Sequence, residues 1–233
     1  MITIRTLLEK KTFNATEFNK KTTLFIDITQ IILILWTIGS SITQAGSISA
    51  GIITYILYPI YLVYAITSKN NLILKLIVFG TSCGILELFA DHYAAITLDS
   101  LVYPMDEPML WTSPLYMPFA WSNVLVQMGY LSLRLIQWKG IAIASGIIAI
   151  SGGVYIFFYE NMAKSAGWWY YQNASMLFNT PHYISIAEVL LFITLPISIY
   201  VVYKKNIAWS LVLGSISGLW ILVAAIFAYT IAP

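Results

Sequence analysis

The sequence is short of charge. Only 9% of its 233 residues are charged, against about 25% in a typical soluble domain, and 59% are hydrophobic. The mean hydropathy is +0.80. Such a composition excludes an ordinary soluble domain and indicates an integral membrane protein. No Pro, Gly or Ser-rich linker or low-complexity tract divides the chain, so we expect one bundle.

Cysteine, histidine and several common motifs are also scarce or missing. The single Cys83 excludes an internal disulfide and a multi-cysteine metal site. Two histidines cannot supply the His-rich di-iron site of a membrane desaturase, and the last apolar run has no lysine for a retinal Schiff base. GxSxG and Walker motifs are absent. We therefore expect no cofactor and no metal, with a haem between His92 and His182 as the one alternative.

Seven apolar runs are long enough to cross about 30 Å of hydrocarbon. They predict an all-α, seven-helix transmembrane bundle over 23–233, behind an amphipathic segment at 1–22 with Ile2, Ile4, Leu7, Leu8 and Phe13 facing lipid. A solvated tail is the alternative for that segment. The first run exceeds the 7 to 15 residues of a signal-peptide core, so we expect a retained helix. The predicted spans are 23–43, 49–68, 71–95, 114–136, 140–160, 182–203 and 207–231.

The basic residues predict the orientation of the bundle. With the N-terminus in the cytoplasm, 11 of the 12 Lys and Arg residues fall on the cytoplasmic side, and Lys164 alone lies outside. The C-terminus is then outside the cell. We expect a multi-pass protein of a bacterial or archaeal cytoplasmic membrane. The dispersed basic residues and a net charge of +2 predict no nucleic-acid partner, and the oligomeric state is left open.

Four carboxyls fall at similar depth in three predicted helices. Glu87 and Asp91 are four residues apart and share a helix face; Glu188 enters from the sixth span, and Glu160 ends the fifth. Ionisable groups at such depth are costly, and they normally face the bundle interior and mark substrate or proton paths. We predict that the four are catalytic and converge near the outer face. The alternative is a carboxyl bonded to a neighbouring helix for structural reasons.

The predicted outer loops are long, aromatic and rich in proline. Three further acids, Asp99, Asp106 and Glu107, lie there, and we expect them to be solvated. Trp and Tyr are common at membrane interfaces, which is the structural explanation for the aromatic residues. Ordered loops of roughly 20 residues are usually functional, so we expect a lid over an aromatic pocket walled in part by Tyr171. The predicted substrate-binding residues are His92, Trp111, Trp121, Trp168, Trp169, Tyr170 and His182.

Carboxylates in an apolar, aromatic pocket favour one kind of chemistry. A protonated Glu87 or Glu188 could act as a general acid, and an ionised partner could remove a proton elsewhere. Aromatic faces would stabilise an intervening carbocation by cation–π attraction. This combination is suited to cyclisation or hydration of an isoprenoid within a membrane.

The stretch "GWWYYQNASMLFNTPHYISIAEVLLF", residues 167–192, resembles a segment of membrane carotenoid end-group enzymes, the heterodimer-type lycopene cyclases and related hydratases. In those enzymes an aromatic Trp and Tyr pair leads through a polar run to Pro and then to adjacent glutamates. Here Pro181 is followed by His182 and a single Glu188, so the resemblance implies Glu188 as the matching acid. Residues 84–130 and 155–195 also resemble bacterial membrane proteins of unknown function.

We therefore expect a membrane enzyme that acts on a lipid or isoprenoid, as a cyclase, hydratase or isomerase. A proton- or cation-coupled transporter would use the same buried acids, although no inverted repeat is visible. A ligand-binding sensor would use the pocket without chemistry.

Overall fold

The computed structural model describes residues 9, 11–15 and 17–233, and in this part of the chain seven long α-helices form a bundle. A π-helical turn, Tyr93–Thr97, extends the third helix. The helices are α1 (Lys20–Thr43), α2 (Ile48–Thr67), α3 (Asn71–His92), α4 (Met117–Lys139), α5 (Ile141–Ala166), α6 (His182–Lys204) and α7 (Ala208–Ile231). The predicted all-helical architecture is confirmed.

Six of the described helices are long and apolar enough to cross a membrane, namely all except α4. The predicted span at 114–136 does form a helix, α4, whose 23 residues measure about 34 Å. This helix is more polar in composition than the other six. Three of its polar residues, Ser122, Asn123 and Gln127, are buried inside the bundle and so do not face lipid. The six apolar helices support a multi-pass membrane protein.

Two helix ends differ from the predicted bounds. Helix α5 does not end near Glu160 but continues to Ala166, where Gly167 adopts a left-handed conformation with φ of 75°. The third span leaves the α-helical conformation after His92 and continues as a π-helical turn to Thr97, two residues beyond the predicted end.

Small residues let α3 pack closely against its neighbours on two sides. Gly80 of α3 faces the backbone of α4 at Ser122, and Gly84 faces it at Pro118. On the other side, Gly214 and Gly218 of α7 face the backbone of α3. A Cβ atom at any of these glycines would clash, which is the close approach typical of GxxxG helix pairs in membranes. In its most apolar stretch α3 is 67% buried, against 28–39% in the other five apolar helices. It is the central helix of the bundle.

One end of the bundle is covered by two ordered loops, residues 98–116 and 167–181, which we call the lid. The loops pair with each other, since Leu101 and Val102 align antiparallel with Tyr171 and Tyr170. Trp168 Nε1 also donates to Ser49 Oγ at 2.7 Å, which ties the lid to the start of α2. The strands are β1 (Leu101–Val102), β2 (Met109–Leu110), β3 (Ser113–Pro114), β4 (Tyr170–Tyr171), β5 (Met176–Leu177) and β6 (Thr180–Pro181), with β2–β3 and β5–β6 forming hairpins.

The opposite end holds residues 11–15 and 17–22 and most of the basic residues that the structure describes, and we call it the basic end. The backbone N–H of Asn14 donates to Tyr203 Oη at 2.8 Å, and Asn70 Nδ2 donates to the Glu17 carbonyl at 3.0 Å. Phe13, predicted to face lipid, instead contacts Tyr203 and Phe18. The other apolar residues predicted for this segment, Ile2, Ile4, Leu7 and Leu8, lie outside the described residues.

Candidate functional site

The four predicted carboxyls, Glu87, Asp91, Glu160 and Glu188, line one cavity beneath the lid, which we call the acidic cavity. Its volume is about 130 Å³, roughly ten times the smallest space that holds a water molecule. Helix α3 supplies the first two carboxyls, α5 the third and α6 the fourth. The acids come together because α6 packs against both α3 and α5.

Glu87 and Asp91 are in direct hydrogen-bonding contact. They lie one helical turn apart on the buried side of α3, with 4% and 8% of their surfaces exposed. Two carboxyl groups can form such a bond only when one of them carries a proton. Glu87 Oε2, the other oxygen, is buried and has no hydrogen-bond partner.

Two side chains of the lid form hydrogen bonds with Asp91. Tyr103 Oη and Ser113 Oγ each donate to Asp91 Oδ2 at 2.7 Å. Tyr103 follows β1, and Ser113 begins β3. Burial raises the pKa of the Tyr103 phenol, and the Asp91 carboxyl raises it further, so Tyr103 stays protonated and can donate. Neither residue was predicted from the sequence.

Glu160 and Glu188 have different surroundings. Glu160 Oε2 accepts a 2.7 Å bond from Trp169 Nε1, and its carboxyl also bonds to the Tyr171 hydroxyl. Glu188 is 5% exposed, and its Oε2 has no hydrogen-bond partner. Glu160 is therefore held by the lid, whereas Glu188 keeps a free oxygen.

Aromatic rings form much of the wall of the acidic cavity. Three of the predicted binding residues, Trp121, Trp168 and Trp169, are among them. Among the residues that the structure describes, no Lys, Arg or His lines the cavity. The aromatic lining consists of Trp121, Trp168, Trp169, Tyr103, Tyr116, Tyr159, Tyr171 and Tyr183.

Four predicted binding residues lie outside the cavity lining. The His92 ring stacks on Trp111 with centroids 4.0 Å apart, and Trp111 is 52% exposed. His92 follows Asp91 directly, and adjacent residues on a helix point in different directions. Tyr170 alternates with the buried Tyr171 along β4 and is 40% exposed.

His182 is the fourth of these residues, and it begins α6. Its backbone N–H donates to the Ser175 carbonyl at 3.0 Å in the lid. With His92 stacked on Trp111, nothing in the described contacts brings the two histidines to a common haem. The described part of the chain also contains no group of three or more His, Cys, Asp or Glu residues that could hold a metal ion.

The three loop acids belong to the lid. Asp99 accepts bonds from Gln172 Nε2 at 3.3 Å and Asn173 Nδ2 at 3.0 Å and so joins the two loops. Asp106 accepts from Ser47 Oγ at 2.8 Å. Glu107 is half-buried, and its pKa is raised to about 7, first by burial and then by the Asp106 charge.

Comparison with known proteins places most of this architecture in one family. Residues 88–232 match the family described as "Domain of unknown function (DUF6989)". The chain belongs to the DUF6989 family. The matched region includes Asp91, Glu160 and Glu188 and begins one residue after Glu87. No curated protein and no solved structure matches the chain.

Proposed function

We propose that this DUF6989 protein is a membrane enzyme that rearranges the unsaturated end of a lipid or isoprenoid by carboxylate acid/base chemistry. The observation that carries the proposal is the hydrogen-bonded pair of Glu87 and Asp91 in the acidic cavity. A carboxylic acid held protonated in an apolar site is a strong candidate for a general acid.

The hydrogen bonds favour Glu87 as the carboxyl that carries the proton of the pair. Asp91 Oδ2 already accepts O–H bonds from Tyr103 and Ser113, and such bonds favour the ionised form of the acceptor. Glu87 receives no comparable support, because its Oε2 has no partner. Glu87 is then the acid, and Asp91 is the ionised group that orients it.

The proposed reaction balances without a further reactant. The Glu87 O–H bond breaks, a C–H bond forms at an alkene carbon, and the adjacent carbon becomes a carbocation. A second double bond of the same chain attacks this carbon and forms a C–C bond, which moves the positive charge to the other carbon of that double bond. Glu188, in its ionised form, removes a proton from the neighbouring carbon to restore an alkene, and this proton returns to Glu87 before the next turnover. Product and substrate are isomers, so the step needs no oxidant or reductant.

The walls of the cavity suit a cationic intermediate. Trp and Tyr faces attract a cation within about 6 Å of the ring centroid, with an energy of about 0.5–2 kcal/mol each. Glu160, held by Trp169 and Tyr171, adds a fixed carboxyl to the same wall. The intermediate would be stabilised from several sides while the lid limits contact with water.

The resemblance of residues 167–192 to membrane carotenoid end-group enzymes supports the same chemistry. In that comparison Glu188 corresponds to the glutamates that follow the Pro in those enzymes, and Glu188 lines the acidic cavity. We accordingly propose an isoprenoid as the substrate class.

We also propose seven spans, with the N-terminus in the cytoplasm of a bacterial or archaeal cell and the C-terminus outside. Helix α4 is long enough to serve as the seventh span, and its polar residues face other helices. The backbone N–H of Ser175 in the lid donates to the Pro233 carbonyl at 3.1 Å, whereas Asn14 contacts α6 at the basic end. A reporter fused to Pro233 should be active outside the cell, and a cytoplasmic signal there would contradict this topology.

One observation favours a second candidate, proton-coupled transport. A chain of hydrogen bonds leads from Tyr159 in the cavity wall to Tyr155 at 3.4 Å, then to Gln127 at 3.0 Å. It continues to Tyr61 at 2.9 Å and Thr29 at 2.7 Å, towards the basic end. In proteoliposomes a transporter would move protons when ligand is added, whereas the proposed enzyme would give an isomeric product without a pH change.

The direct test is conversion of lipid by the purified protein. We expect native membrane lipid extract to yield a new product of unchanged mass, detected by chromatography and mass spectrometry. Glu188→Gln should abolish it, since the amide cannot accept the proton, while the matched lid variant Glu107→Gln should retain it. No product from the wild-type protein at any pH between about 5 and 8 would refute the enzyme.

A further inference from the structure

Unpartnered polar atoms concentrate in the acidic cavity. Within residues 9, 11–15 and 17–233, eight buried side-chain oxygen or nitrogen atoms have no hydrogen-bond partner. Four of the eight line this cavity, on Glu87, Glu188, Asn123 and Tyr116. All four side chains are at least 95% buried.

The four atoms share a chemical character: each can accept a hydrogen bond. Asn123 Oδ1 can only accept, because the amide nitrogen of the same side chain donates to the Thr54 carbonyl at 3.3 Å. The free oxygens of Glu87 and Glu188 accept whenever they carry no proton. Tyr116 Oη can accept or donate. The cavity therefore needs donors from whatever fills it.

A purely hydrocarbon ligand would not meet this need. Such a ligand displaces water that can donate to these oxygens and leaves them unbonded, which lowers affinity. An anionic head group is unsuitable for a second reason. The described residues of the lining include four acids and no Lys, Arg or His, so phosphate or carboxylate would be repelled.

We infer that the acidic cavity takes an amphiphile whose buried head group donates hydrogen bonds and carries no negative charge, namely an isoprenoid alcohol or amine. The inference rests on the proposed function for the isoprenoid chain, and it narrows the substrate class by excluding prenyl diphosphates. The ammonium form of an amine would gain cation–π contacts with Trp121, Trp168 and Trp169 in addition to the bonds to oxygen.

The test compares four probes that share one chain: farnesol, farnesylamine, farnesyl diphosphate and the hydrocarbon farnesene. Binding to the purified full-length protein in detergent is followed by quenching of tryptophan fluorescence and confirmed by calorimetry. We expect the amine and the alcohol to bind at least about tenfold more tightly than the diphosphate and the hydrocarbon. Equal or tighter binding of the diphosphate, or of the hydrocarbon, overturns the inference.

Two variants test whether the preference for the alcohol over the hydrocarbon arises in the acidic cavity. Asn123→Leu removes an acceptor at similar volume, and we expect it to reduce the preference for alcohol over hydrocarbon by about fivefold or more. Ser210→Ala removes another buried, unpartnered oxygen, on α7 and outside the cavity lining, and should leave the preference unchanged. If both variants behave alike, the cavity is not the binding site and the inference fails.

The outcome is independent of turnover. If lipid extract yields an isomeric product but the diphosphate binds best, the inference about the head group fails while the proposed enzyme stands. If the alcohol and amine bind best but no product ever forms, the enzyme fails while the ligand class stands.

Discussion

Charged groups have opposite surroundings at the two ends of the bundle. At the basic end, Lys75 Nζ donates to the Lys205 carbonyl at 2.6 Å and to the Tyr203 carbonyl at 3.2 Å, and so binds the C-terminal carbonyls of α6. Arg134 pairs with Asp27 at 2.6 Å. These three charges are satisfied by nearby protein atoms, which is what a structural role requires.

Beneath the lid the pattern is reversed. Glu87 and Glu188 are more deeply buried than Arg134 or Asp27, yet each keeps an oxygen without a partner. The described lining of their cavity offers no cation to pair with them. The contrast separates the two roles: charge that is bonded within the fold stabilises it, and charge left open in a cavity is available to a ligand or a reaction.

The largest effect should follow from Glu87→Gln. The amide keeps the volume and can still bond to Asp91, but it cannot release a proton to the substrate. We expect turnover to fall by about 10²- to 10⁴-fold, measured as product formed per protein. Expression and thermal unfolding should stay close to those of the wild type. A variant with normal turnover would remove Glu87 from the acid role.

Tyr103→Phe should have the next largest effect on activity. It removes one of the two hydroxyl donors to Asp91 and leaves the aromatic ring in place. Bonds to charged groups contribute about 1.5–3 kcal/mol, so we expect turnover to fall by roughly 10- to 100-fold. The matched change at the basic end is Tyr64→Phe, which removes the contact of Tyr64 Oη with Thr22 Oγ1 at 3.0 Å. An equal loss of turnover in both variants would show that the effect is not specific to the cavity.

Lys75→Met should give the opposite result, a loss of stability without a loss of chemistry. Methionine keeps the length of the buried stem but cannot donate to the carbonyls of Tyr203 and Lys205. We expect the free energy of unfolding to fall by about 1–3 kcal/mol, measured by denaturant titration in detergent. Turnover per folded molecule should be unchanged. A large drop in turnover would mean that the two ends are coupled.

Glu107 in the lid should make stability depend on pH. The folded chain holds this proton up to a pKa of about 7, whereas the unfolded chain loses it near the ordinary value of 4.5. The folded state binds more protons in this window, so the free energy of unfolding should fall as the pH rises from about 4.5 through 7. Glu107→Gln should flatten this slope in thermal unfolding curves. A variant that retains the full slope would assign it to other groups.

The smallest effect is expected from the Asp27–Arg134 ion pair. Its side chains are 39% and 37% exposed, so solvent screens the attraction. A double-mutant cycle with Asp27→Asn and Arg134→Gln should give a coupling energy of about 0.2–1 kcal/mol in unfolding. A value well above this range would show that the basic end also stores strong charge interactions.

Hydropathy and charge predicted most of the fold. The seven apolar runs correspond to seven helices, and six of these are long and apolar enough to cross a membrane. A helix satisfies all of its backbone groups internally, as an apolar environment requires. The misplaced end of α5 has a plain cause: Asn161 and Lys164 interrupt the apolar run, but polar residues do not stop a helix that a left-handed Gly167 ends later. The π-helical turn after His92 has no clear signal in the sequence.

The sequence allowed us to predict the acidic residues of the candidate site but not the residues that form hydrogen bonds with them. Depth along the helices brought the four carboxyls to one level, whereas Tyr103 and Ser113 depend on how the lid folds over α3, which local sequence does not reveal. The outward position of His92 and Tyr170 was within reach of the sequence. Each stands next to a residue that faces the cavity, and neighbours on a helix or strand point in different directions.

The glycine contacts of α3 decide which parts of the molecule can move. Backbone-to-backbone packing at Gly84 against α4, and at Gly214 and Gly218 of α7 against α3, leaves no slack for α3 to rotate or slide. Glu87 and Asp91 therefore lie on a helix that is held in place by its neighbours. The opening that the proposed amphiphile requires is therefore expected at the lid or at α1 and α2, because α1 and α2 pack more sparsely against the rest of the bundle.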